Sequence, residues 1–62
     1  MFDQIVAFFG SRSEMARRLN VDRAAVSQWA KDGLPPGRAI EIEQISGGEF
    51  KAVNIVGAKD DE

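Results

Sequence analysis

Arg23, Ser27 and Gln28 recur at helical spacing in the stretch NVDRAAVSQW, residues 20 to 29, with the small Ala24 among them. On an α-helix, positions 23, 24, 27, 28 and 31 share one side, and 25, 26 and 29 take the other. The first set reads Arg23, Ala24, Ser27, Gln28 and Lys31; the second reads Ala25, Val26 and Trp29. The polar set has the chemistry of base readout in the major groove of B-DNA. A guanidinium can donate twice to guanine O6 and N7, a glutamine amide pairs with adenine N6 and N7, and serine serves either base. Alanine lets the helix come close and touches a thymine methyl. Asp22 would repel phosphate, so its first role is helix N-cap, with acceptance from a cytosine amine as its base contact.

Catalysis has far less to work with. The chain holds no histidine, cysteine or tyrosine, which removes the commonest general base and most nucleophiles and metal ligands. Glu41 and Glu43 follow a surface pattern, and Gly47-Gly48 is a turn signal without the remainder of a phosphate loop. We therefore expect no enzyme, no cofactor and no metal.

Five elements have to place the polar set. Phe2, Ile5, Val6 and Phe9 recur at helical spacing, and Gly10 closes that helix. Ser11-Arg12-Ser13-Glu14 fits a capping box: the Ser11 hydroxyl accepts from the Glu14 N–H, and the Glu14 carboxylate reaches back to the Ser11 N–H. Met15, Ala16 and Leu19 form the inward stripe of the second helix, and Asn20 supplies a residue that tolerates left-handed dihedrals. Asp22 then opens the third helix, which Lys31-Asp32-Gly33 stops. Two helices so closely joined, at about Arg12 to Lys31, make a helix-turn-helix. Ser11, Arg12 and the first N–H groups of the second helix suit a phosphate, with Arg17, Lys31 and Arg38 as further backbone anchors.

Beyond Leu34-Pro35-Pro36 two folds compete. Pro36 is a natural first residue for a helix carrying Ala39, Ile42 and Ile45 inward. Ile40-Glu41-Ile42-Glu43 also alternates, and Gly47-Gly48 could turn a β-hairpin over about 40–56. Strand pairing would place Gln44 on the apolar face, whereas the helix buries Ile42 and Ile45 together. We expect an all-α domain of four to five helices, with the α+β hairpin form as the alternative.

Sixty-two residues make one small domain, expected over 1–56, with 57–62 as a flexible acidic tail. The net charge of −2 is unevenly spread: residues 1 to 40 carry +2 and residues 41 to 62 carry −4. A weakly basic front can still face a polyanion. No apolar run approaches bilayer-spanning length and no signal-peptide pattern opens the chain, so a cytoplasmic protein with no membrane partner is expected. Phe8, Ile40, Phe50, Val53 and Ile55 are more apolar surface than so small a core needs. Two compatible readings account for them: the last element folds back over them, and Ile40, Phe50, Val53 and Ile55 form a homodimer seam.

The segment SEMARRLNVDRAAVSQWAKDGLPPGRAIEIEQISGG resembles the Cro repressors of lambdoid bacteriophages and the related YdaS-type antitoxin or Cro-like proteins. The likeness covers about residues 4 to 55, and AAVSQW, LPP and RAIEIEQISGG are specific in combination. It implies a small repressor, from a phage or prophage in a bacterial host, that binds a near-palindromic operator in double-stranded DNA as a homodimer, with no small-molecule substrate. Carried over by position, its base contacts fall on Asp22, Arg23, Ala24, Ser27 and Gln28, and Arg12 lies near a phosphate. The docking mode is that described for Cro and other helix-turn-helix repressors. This chain departs from the pattern in having Asn20 where glycine is usual and an acidic tail where some relatives are basic. The family occurs in all-helical and hairpin forms, and LPP…AIEIE…SGG looks like the helical one. The competing function is a non-enzymatic protein-interaction or antitoxin-type regulator module, suggested by the acidic tail and the apolar C-terminal residues.

Overall fold

A computed structural model describes residues 1–60, and its order is α1 Phe2–Phe9, α2 Arg12–Leu19, α3 Arg23–Asp32, α4 Pro36–Ile45 and α5 Ala52–Ile55. No strand occurs among the described residues, so the all-helical expectation holds and the hairpin alternative does not.

Each helix ends for a local reason. Gly10 takes φ +110° and its N–H donates to the Val6 and Ala7 carbonyls. Ser11 caps α2 as expected, its Oγ accepting from the Glu14 N–H at 3.1 Å. The return half of the capping box does not form, because the Glu14 carboxylate meets the Arg17 guanidinium instead. Asn20 sits in the left-handed region at φ 59°, ψ 46°. The Val21 N–H reaches back to the Ala16 carbonyl at 2.9 Å and the Asn20 N–H to Arg17 at 3.2 Å. This is a Schellman closure with asparagine in the place glycine usually takes. Asp22 stands at the N-cap of α3 in extended geometry, but its side chain makes no capping hydrogen bond.

The same closure decides the C-terminal half. The Gly48 N–H donates to the Glu43 carbonyl at 2.9 Å and the Gly47 N–H to Gln44 at 3.2 Å. The glycine pair thus caps α4 and turns no hairpin. The Glu43 carboxylate then accepts from the Ala52 N–H at 2.8 Å, and the Ser46 hydroxyl from the Phe50 N–H at 3.1 Å. Those two bonds fold 50–55 back over α4 and bury Ile55.

The core is drawn from every helix: Phe2, Ile5 and Phe9; Met15, Ala16 and Leu19; Val26, Trp29 and Ala30; Ala39 and Ile42; and Ile55, with Leu34 from the connector. Ala16 is the small buried residue of α2, which packs chiefly on α3. Ile55 is 1% exposed, so its expected place in a dimer seam is corrected to a core position. Phe50 is half-buried, with its ring edge-on to Phe8 at 5.6 Å, and is mainly covered within the chain. Ile40 at 53% and Val53 at 81% remain exposed.

The expected boundary at Val56 is not where docking ends. The Gly57 N–H donates to the Leu34 carbonyl at 2.7 Å, the Leu34 N–H to Ala58 at 3.1 Å, and the Asp60 N–H to Ala30 at 2.9 Å. Gly33 and Gly57 approach so closely that a Cβ on Gly33 would stand 3.2 Å from the Gly57 oxygen. Both have positive φ, so glycine is needed twice in one crossing. Residues 57–60 are therefore laid against the end of α3; Asp61 and Glu62, the remainder of the expected tail, lie outside the described residues.

Candidate nucleic-acid interface

The outer side of α3 is formed as its periodicity requires. Arg23, Ala24, Ser27, Gln28 and Lys31 are exposed, as is Asp22 just ahead of them, while Val26, Trp29 and Ala30 are buried. The apolar side fixes the helix on α2 and leaves the polar side unobstructed along its first two turns.

Of the expected anchors, Arg12 of α2 and Lys31 of α3 meet at one edge of this face. Arg12, Ser27, Ala30, Lys31 and Asp60 line an open pocket of about 400 Å³. Arg12 comes from the first turn of α2, Ser27 and Lys31 from consecutive turns of α3, so the close helix crossing brings them together. Ser11 is exposed, but its hydroxyl is already engaged in capping.

Other groups carry internal partners. The Arg12 guanidinium lies 5.8 Å from the Phe2 ring centroid and donates to the Asp60 carboxylate at 2.6 Å. Arg17 pairs with Glu14 one turn earlier, and the Gln28 amide donates to Asp32 one turn later. These contacts are exposed and cost little to exchange for a ligand. Arg38 is different: it bonds Glu41 at 2.7 Å and the Leu19 carbonyl at 3.5 Å, and lies over the Trp29 ring at 5.8 Å. Trp29 is on the buried side of α3, so Arg38 braces the back of the helix; neither it nor Arg17 lines the pocket with Arg12 and Lys31.

Asp60 and Asp32 are the participants that sequence reasoning missed. Gln28 and Asp32 stand at i, i+4, a legible spacing. Asp60 lies 48 positions from Arg12, and no local pattern signals such a contact. Among the described residues no helix is long and apolar enough to cross a membrane.

Comparison with known proteins agrees with the geometry. Residues 2–61 match the family described as DNA-binding transcriptional regulator Cro. A "Repressor protein of division inhibition gene dicB" from Escherichia coli (strain K12) is 34% identical over 44 residues, 71% of this chain. This chain spans only 58% of that relative's length. The "Regulatory protein cro" of Pseudomonas phage D3 is 33% identical over 57 residues, covering 89% of this chain and 78% of the relative. No solved structure matches significantly. An exposed polar face on a helix-turn-helix, together with a family match over nearly its whole length, places this chain in the Cro family of DNA-binding, non-enzymatic transcriptional regulators.

Proposed function

We propose that the protein represses transcription in the bacterial cytoplasm by occupying a near-palindromic operator as a homodimer, with α3 of each protomer in a major groove. The observation that carries this is the division of α3 into a buried side, Val26, Trp29 and Ala30, and an exposed side of base-reading groups. Arg23 and Gln28 make the bidentate contacts, Ala24 and Ser27 permit close approach and a further bond, and Asp22 accepts from a cytosine amine. Arg12, Arg17 and Lys31 hold phosphates, as do the first N–H groups of α2 beside Ser11. Arg38 is left out of this set because its guanidinium is held between Glu41 and Trp29.

The relatives named as a repressor and as a cro regulatory protein support repression, and a steric mechanism needs no second activity. Ile40 and Val53 supply the apolar seam between protomers. Duplexes selected from a random pool give the direct test. One half-site motif, repeated with two-fold symmetry, is the expected product. A pool that yields no enriched motif at low salt overturns the proposal, as does a selected duplex that Arg23→Ala and Gln28→Ala bind as tightly as the parent.

A further inference from the structure

Arg12 is the α2 anchor that shares a pocket with α3, and in the free protein it already holds an anion. We infer that Asp60 sits in the phosphate seat of Arg12 and must leave it when DNA arrives, so that its carboxylate is an intramolecular competitor of the operator. The inference rests on the groove-binding function proposed above and adds a regulation of the same site.

Four observations carry it. First, Asp60 is delivered by the main chain: its own N–H caps the Ala30 carbonyl at 2.9 Å, and Gly57 and Ala58 pair with both polar groups of Leu34. Ala30 lies in the last turn of α3, where carbonyls lack helical partners, so the segment satisfies a need of the helix while it places the carboxylate. Second, the contact is a charge-assisted bond of 2.6 Å from the Arg12 Nη2 to the Asp60 Oδ2. Third, Asp60 lines the same pocket as Lys31, proposed to meet a phosphate, and Ser27, proposed to meet a base. Fourth, the pair is partly open, with the Arg12 side chain 33% and the Asp60 side chain 41% exposed, so a phosphate can reach and replace the carboxylate.

Exchange requires little of the fold. Rotation of the Asp60 side chain frees Arg12, while the main-chain bonds to Ala30 and Leu34 can persist. A carboxylate left in place would repel the incoming phosphate across a distance well inside the screening length of physiological salt, about 8 Å. DNA binding through Arg12 is therefore weakened by the strength of one exposed ion pair, about two- to fivefold in affinity.

A charge-neutral replacement isolates the carboxylate, because Asp60→Asn keeps the backbone N–H that caps α3. The parent chain, Asp60→Asn, Arg12→Gln and the double variant are titrated against a random-sequence duplex of about 20 base pairs at low salt, and again against a selected operator. Asp60→Asn is expected to tighten binding about two- to fivefold on the Arg12 background and far less on Arg12→Gln. An equal gain on both backgrounds would show that only net charge matters, and would overturn the inference. So would no gain accompanied by a lower melting temperature, which would make the pair a structural tie. A parent chain that binds neither duplex overturns the groove-binding function itself, and this inference falls with it; binding by the parent with an unresponsive Asp60→Asn overturns this inference alone.

Discussion

Arg23 and Gln28 stand about a turn and a half apart on an otherwise small-residue face, so each can address a separate base pair. Removing either should cost about 1–3 kcal/mol at a selected operator and relax the preference at one position, while the circular dichroism spectrum stays unchanged. Gln28 begins from an exposed bond to Asp32, a contact worth a few tenths of a kcal/mol, so that bond does not protect it from DNA. Asn20 carries a different load. At φ 59° it holds the reversal between α2 and α3, where a residue other than glycine or asparagine costs about 1–2 kcal/mol. Asn20→Gly should leave the urea midpoint within about 0.5 kcal/mol of the parent, and Asn20→Val should lower stability by about 1–2 kcal/mol. Equal stability of the two variants would mean that the turn adapts and does not set the angle of α3.

At the scale of elements, α5 is four residues long and cannot stand as an isolated helix. Glu43 holds its first N–H and Ile55 enters the core, so the two contacts should fail together. Glu43→Ala is expected to lose about 1–3 kcal/mol and Ile55→Ala about 2–5 kcal/mol in chemical denaturation. A double variant is expected to fall short of the sum, since either change alone detaches the segment. Strict additivity would separate the cap from the packing. These elements also show what the sequence could and could not disclose. Helices α1 to α3 were legible because apolar spacing, the Ser11 cap and the Asn20 turn all agree locally. The alternation of Ile40 to Glu43 left α4 open, and its resolution depends on Gly47 and Gly48 bonding back to Gln44 and Glu43, a three-dimensional fact. The polar face of α3 followed from periodicity alone. Its flank did not: Asp60 reaches Arg12 through a glycine crossing with Gly33, and Arg38 turns away toward Trp29, neither of which leaves a periodic trace.

For the whole molecule, a net charge of −2 must be reconciled with a polyanionic partner. Arg12, Ser27 and Lys31 gather at one edge of α3, while Glu41, Glu43 and Glu49 belong to α4 and the turn after it, so the local field at the groove differs from the global one. Taking Arg12, Arg17 and Lys31 as phosphate contacts, two protomers should release counterions with a log–log salt slope of about −5, and one protomer about −3. The slope therefore counts protomers on the operator. Ile40 and Val53 are exposed in the single chain and apolar, so replacing both by serine should leave the core intact. If they form the seam, that double variant sediments as a monomer, binds a half-site with little change, and loses the steep slope on a two-fold operator. A variant that keeps the slope of about −5 would place the seam elsewhere on the surface, and a parent slope near −3 would indicate repression by a single protomer.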